Sequence, residues 1–184
     1  WSQSKSNRRA ICLRYFNPVG AHETLLIGEN PIDTPNNLMP YICRVAMGAL
    51  PQLNIFGADF ETRDGSGERD YIHVCDLANG HILVLNGLDA LEHFETINLG
   101  TGKGTTVLEL IKTFRDVNGV DIPCVMIGRR AGDAPISVTN VSLAKQKLNF
   151  SCKYSINDMC YHAWNYQLKL SSTLSSEDPA KVLK

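Results

Sequence analysis

Four stretches of the chain carry polar side chains in settings that could hold an anionic ligand. In "RYFNPVGAH" (14–22) an apolar strand ends at Tyr15, Phe16 and Asn17, and Pro18 holds the backbone of Asn17 extended. Ligands of open α/β sheets bind at such strand ends, which aims the Asn17 amide at a candidate site. An Asx turn before proline is the competing reading. In "PNNLMPYI" (35–42), Asn36 and Asn37 stand at a helix start, where one amide suffices as a cap and the other is left over for a ligand. "GADFETRDGSGERDYIHV" (57–74) is a charged, glycine-rich loop running into a strand. Arg69 immediately precedes the apolar "YIHV", so its guanidinium can fork onto a phosphate unless it pairs with Glu68 or Asp70. In "MIGRRAGDAP" (126–135), Arg129, Arg130 and Asp133 follow another strand. There a cation could take a diphosphate and the carboxylate could accept from ribose hydroxyls. A surface turn with an internal ion pair is the alternative.

The most phosphate-like stretch to the eye is "INLGTGKGTTVLELI" (97–111), a strand, a glycine turn and a helix. Gly100, Gly102 and Gly104 match neither GxGxxG nor GxxxxGK[ST]. Thr106 and Glu109 fit a capping box, which occupies the first N–H groups and places negative charge where a phosphate would sit. We expect a tight structural turn there. His73 alternates with Ile72 and Val74 and reads as structural. No Ser/His/Asp or Cys/His arrangement has useful spacing.

The elements that must position these residues alternate in type. Strand-like runs are "ICLRYF", "LNIF", "YIHV", "TINL" and "CVMI". Helical periodicity covers 37–47, capped by Asn36 or Asn37 and stopped by Gly48. It also covers 77–88 with Asp76 as cap, 107–117, and 156–168 opened by a Ser155/Asp158 capping box. Strands alternating with helices indicate an α/β chain. "AICLRYF" reads as a buried strand, and "SSTLSSEDPAKVLK" as a loose tail over 171–184.

Composition sets the outer limits. At 184 residues, 43% hydrophobic and 20% charged, the chain is of ordinary globular type, and its net charge of −1 argues against nucleic-acid or membrane-surface partners. No apolar run approaches the about 18 residues that a membrane span needs. The six cysteines have no CxxC spacing, so no metal site is expected, and they read as buried free thiols of a cytoplasmic protein. The chain begins at Trp1, already close to a strand, and the expectation is a fragment lacking an N-terminal part.

Taken together, "LRYFNPVGAH", "IGEN", "PNNLMPYI", "IFG", "RDGSGERDYIHVCDLANGH", "NLGTGKGTTVLEL" and "GRRAGD" resemble the UDP-glucose 4-epimerases of the extended short-chain dehydrogenase/reductase family. The match runs in order over roughly 10–168; "WSQSKSNRRA" does not follow it. The resemblance implies an isomerase of galactose metabolism that interconverts UDP-glucose and UDP-galactose through a 4-keto sugar on a tightly held NAD, active as a cytoplasmic homodimer. It also implies that the glycine-rich NAD loop, the catalytic Ser or Thr and the YxxxK pair lie upstream of "RYFNP". No catalytic residue is therefore expected in this chain, and it should be inactive alone.

On the same basis, residues 1–18 end the NAD-binding Rossmann-type domain and 19–170 form the UDP-sugar-binding domain, with "YIHV" and "TINL" returning to the NAD sheet. Tyr15 and Phe16 would lie beside the nicotinamide. Asn17 would lie on the sugar or phosphate side, and Asn36, Asn37 and Leu38 at the diphosphate and uridine. Asn54, Ile55 and Phe56 would line the uracil, with Phe56 stacking. Arg69 and Arg130 would hold the diphosphate beside Tyr71, and Asp133 the ribose. Ser137 stands where many bacterial relatives have a tyrosine facing the sugar, which would leave room for N-acetylated hexoses. A non-catalytic UDP-sugar-binding or partner-binding module, or a nucleotide-sugar dehydratase or decarboxylase of the same family, are the alternatives.

Overall fold

The computed structural model describes residues 8–177, with side chains to 173. Among the described residues, eight strands and five α-helices follow in the order β1 (Ala10–Tyr15), β2 (Asn17–Val19), α1 (Leu38–Ala46), β3 (Leu53–Phe56), β4 (Glu68–His73), α2 (Val74–Asn86), β5 (Phe94–Leu99), β6 (Gly104–Thr106), α3 (Val107–Asn118), β7 (Cys124–Ile127), β8 (Ile136–Ser137), α4 (Ser142–Leu148) and α5 (Ile156–Glu177). The α/β class and all five expected strands are present. The three short strands β2, β6 and β8 were not visible in the sequence, because two or three residues carry no period.

β4 organises the rest. Its second half pairs in parallel with β2, and its first half pairs antiparallel with β6 and parallel with β8. Two further parallel pairs, β1–β5 and β3–β7, complete the sheets. Successive strand residues face opposite sides, and on β4 this divides two apolar clusters. Tyr71 joins one built from α1, α3 and α5, including Ile42, Phe114 and Trp164. Ile72 joins the other, built around Leu77, Leu99 and Phe150. The α3 stripe follows the sequence pattern, with Leu110, Ile111 and Phe114 all buried.

Several local expectations need correction. β1 is only partly buried, since β5 is its single strand neighbour among the described residues and Cys12, Arg14 and Tyr15 are exposed. Only Cys43 and Cys160 of the cysteines are buried, and Cys12 and Cys124 are exposed. The last helix does not stop at 168. It runs through Glu177, so the loose tail expected from 171 is helical that far; 178–184 lie outside the described residues. Helix α2 starts three residues early, capped by His73, whose Nδ1 accepts from Cys75 N at 3.0 Å. Asp76, the expected cap, is buried and accepts instead from the backbone N–H groups of Lys153 and Tyr154. The Ser155/Asp158 box is present, with Ser155 N donating to Asp158 at 2.8 Å and Asp158 N to Ser155 Oγ at 3.3 Å.

Candidate functional site

A cleft of about 460 Å³ opens where β2, the start of α1, β3, β4 and the segment after β7 converge. That volume suits a small organic ligand. Eleven of the residues singled out from sequence line it, namely Asn17, Asn36, Asn37, Leu38, Asn54, Ile55, Phe56, Arg69, Tyr71, Arg130 and Asp133. Their side chains bring two guanidinium groups and one carboxylate to a wall of amides and aromatic rings.

Arg69 is free to act on a ligand because its neighbours are committed elsewhere. Glu68 is held by Arg63 at 2.8 Å. The buried Asp70 carboxylate accepts from Thr101 N (2.9 Å), Thr101 Oγ1 (2.5 Å), Gly102 N (2.9 Å) and Thr139 N (3.3 Å). Arg69 itself donates only to the carbonyls of Glu68 and Pro135 and forms no ion pair among the described residues. The two pairings that competed for it in the sequence are therefore not made. Beside it Tyr71 is 4% exposed, and burial pushes its hydroxyl pKa up, so the phenol is a neutral hydrogen-bonding group.

The two adjacent arginines after β7 divide. Arg130 lines the cleft, donates to Asp133 at 3.0 Å and lies over the Phe56 ring at 4.3 Å. The internal ion pair of this segment is made, and it faces the cleft. Arg129 turns away, pairing with Asp59 at 2.7 Å and stacking on Phe60. The pairing β3–β7, in register Phe56↔Ile127, is what brings Phe56 level with this segment.

At the start of α1, Asn37 occupies the cap position with extended backbone, yet its side chain makes no capping bond. Its Nδ2 donates to Glu29 at 3.0 Å instead. No N–H of Leu38 or Met39 finds a partner among the described residues, and Pro40 has none to offer. These are the orphan donors of a helix N-terminus, where the dipole also favours negative charge.

The glycine loop of 100–104 holds no phosphate position, because the Asp70 carboxylate sits where an anion would. A Cβ at Gly100 would meet Thr139 Cγ2 at 2.3 Å and Asp70 Oδ2 at 2.7 Å, and one at Gly104 would meet Glu68 Oε1 at 1.9 Å. The glycines therefore serve close packing. Three sequence candidates lie outside the lining. Tyr15, at the end of β1, donates its hydroxyl to His81 Nε2 at 2.8 Å, since His81 Nδ1–H is given to Leu77 O. Phe16 follows it. Ser137 lies on β8 in register with Arg69.

Sequence reading missed ten lining residues, among them Thr34, Pro35, Tyr41, Phe60, Gly67 and Val107. Tyr41 could have been found from helical spacing, one turn on from Asn37 and Leu38. Gly67 is set by Arg69, whose Nη1 would lie 3.3 Å from a Cβ there; the loop residues Thr34 and Pro35 carry no periodic signal.

The sequence profile of the NAD dependent epimerase/dehydratase family matches residues 1–100. The chain belongs to that family. It is 51% identical over 165 residues to UDP-glucose 4-epimerase 2 of Arabidopsis thaliana, an alignment covering 89% of this chain and 47% of that protein. Among solved structures it resembles the UDP-glucose 4-epimerase of Stenotrophomonas maltophila with bound NAD and formylated UDP-arabinopyranose (47% identity, TM-score 0.87), covering 90% of this chain and 49% of that one. It also resembles the Bifidobacterium longum enzyme in complex with NAD+ and UDP (44% identity, TM-score 0.84), covering 88% of this chain and 48% of that one. The chain thus spans about half the length of the relatives it matches.

The family's cofactor finds only part of a site in these residues. The 184 residues contain no GxxGxxG and no YxxxK, and the glycine loop's N–H groups at Thr101 and Gly102 belong to Asp70. Tyr15 and Phe16 are the groups this chain could lay against NAD.

Proposed function

We propose that this chain is the UDP-sugar-binding part of a UDP-glucose 4-epimerase and that the cleft holds the UDP portion of the substrate. One observation carries the reading. Arg69 and Arg130, 61 positions apart in the sequence, reach the same cleft, and Arg69 does so with no carboxylate partner among the described residues. The open N–H groups at the start of α1 add donors for the same diphosphate. Phe56, Asn54 and Ile55 form the wall for the uracil, and Asp133 is placed to accept from the ribose.

Within this chain the chemistry is binding and orientation. A diphosphate fixed by two guanidinium groups and a helix start leaves the hexose at the Asn17 end of the cleft, with Tyr15 and Phe16 beyond it. Interconversion of UDP-glucose and UDP-galactose belongs to the complete, NAD-bearing protein, which we read as a cytoplasmic homodimer. No helix among the described residues is long and apolar enough to cross a membrane, and the free cysteines suit a reducing compartment.

The test is calorimetric titration of the chain with UDP. Binding is expected, and Arg69→Ala should weaken it by about tenfold or more, the loss of a charge-assisted contact. A chain that binds no UDP, or that binds it equally well without Arg69, contradicts the proposal.

A further inference from the structure

Asn37 breaks a local rule, and the reason lies outside the cleft. An asparagine at a cap position ordinarily turns its Oδ1 onto the N–H of the second or third helical residue. Here the third is Pro40, so only the Met39 N–H could be capped, and it is not. A carboxylate can only accept hydrogen bonds, so Glu29 holds the Asn37 amide by its nitrogen, and the side chain makes no capping bond to the helix start.

Glu29 is in turn held by the scaffold. An isolated bridge joins Ala21 to Gly28, and His22 N donates to Ile27 O at 2.9 Å. Gln167 Nε2, on α5, donates to the Glu29 carbonyl at 2.7 Å. Gly28 lies flat on the Tyr166 ring, where a Cβ would come within 2.4 Å of ring carbons. The loop is clamped to α5, which delivers the carboxylate to one place beside α1. Independently, Tyr71 marks the cleft as built for a polar ligand. It is 4% exposed and lines the cleft, and its hydroxyl has no hydrogen-bond partner among the described residues.

We propose that Glu29 is a positioning residue of the cleft, holding the Asn37 side chain off the start of α1 so that the Leu38 and Met39 N–H groups stay open to the anionic part of the ligand. The proposal rests on the reading of the cleft as a UDP site and adds a residue that never touches the nucleotide. Without Glu29, Asn37 turns to cap Met39, and a ligand must displace that cap before it binds.

Two measurements on the full chain test this. In the first, UDP is titrated into Glu29→Ala, Glu29→Gln, Asn37→Ala and the double variant Glu29→Ala/Asn37→Ala. Glu29→Ala should bind about fivefold more weakly, the worth of one cap. Glu29→Gln, whose amide oxygen can still accept from Asn37, should retain affinity. In the Asn37→Ala background Glu29→Ala should change nothing further. An unchanged affinity in Glu29→Ala, or an equal loss in both backgrounds, overturns the assignment.

In the second, the thermal midpoint is read without nucleotide. Glu29→Ala should raise it by about 2–4 °C as the new cap forms, and Gly28→Ala, which pushes the loop off Tyr166, should weaken UDP binding in the same direction as Glu29→Ala. If the unaltered chain binds no UDP, the proposed function is what fails. The Glu29 assignment is then decided by the midpoint alone, and a midpoint that stays level or falls in Glu29→Ala overturns it.

Discussion

Arg130 and Arg129 differ in what surrounds them far more than in sequence position. Arg130 lies across Phe56 with Asp133 at its Nε, inside the cleft, while Arg129 is taken up by Asp59 and Phe60. Truncating Arg130 removes a cation that can meet the diphosphate through two parallel N–H groups, at a cost of about 1.5–3 kcal/mol in binding. Truncating Arg129 loses an exposed ion pair of little consequence for stability, and Arg129 does not itself line the cleft. Measured UDP dissociation constants should therefore rise at least tenfold in Arg130→Ala and stay near the unaltered value in Arg129→Ala; equal values in the two variants would contradict this. The sequence could show that "RRAGD" had the right chemistry after a strand. It could not show that Arg130 would be both paired and facing the cleft, because that depends on the β3–β7 register lifting Phe56 under it. For the same reason Arg69 was legible as a candidate but not as an unpaired one. Its freedom follows from Asp70 being claimed by residues 31, 32 and 69 positions further along the chain.

Among the elements, α2 shows where local rules yield to tertiary ones. Asp76 is a better helix cap than histidine by propensity, but it is needed to satisfy the N–H groups of Lys153 and Tyr154, and His73 takes over. Capping fixes the His73 tautomer. Nδ1 accepts from Cys75, so Nε2–H donates to His162 Nδ1 at 3.0 Å, with Tyr154 stacked on the ring at 4.1 Å. Burial first, then His162 and His22, hold the His73 pKa down at about 4 against 6.5 in an unfolded chain, while Asp158 and Glu23 pull the other way. The unfolded chain thus binds the extra proton first as pH falls. This contribution to stability is complete above about pH 6.5 and is lost as pH drops through about 4. Thermal midpoints recorded from pH 7 to pH 4 should fall in the unaltered chain, and the fall should be smaller in His73→Asn, which keeps a cap and removes the titrating group. An identical pH dependence in both would remove His73 from the account. The capping boxes at Thr106 and Ser155, by contrast, were readable directly, because a capping box is a four-residue pattern with no distant partner.

At the scale of the molecule, β4 divides two apolar clusters with consecutive residues, Tyr71 into one and Ile72 into the other, and carries Arg69 into the cleft between its pairings with β6 and β8. The α/β class was legible from strand and helix periods, and eleven of the cleft's lining residues from local chemistry and motif resemblance. The two-cluster arrangement was not, since it depends on strands of two or three residues whose pairing is set entirely by tertiary contact. The central claim is that UDP binds in this cleft and not at the glycine loop that looks more like a phosphate site. The most direct test follows backbone amide resonances of the chain during titration with UDP. Saturable shifts are expected at Leu38, Met39, Phe56, Arg69 and Arg130, with Thr101, Gly102 and Lys103 unmoved. Shifts centred on residues 100–104, or no saturable shift at the start of α1 and around Phe56, would contradict it.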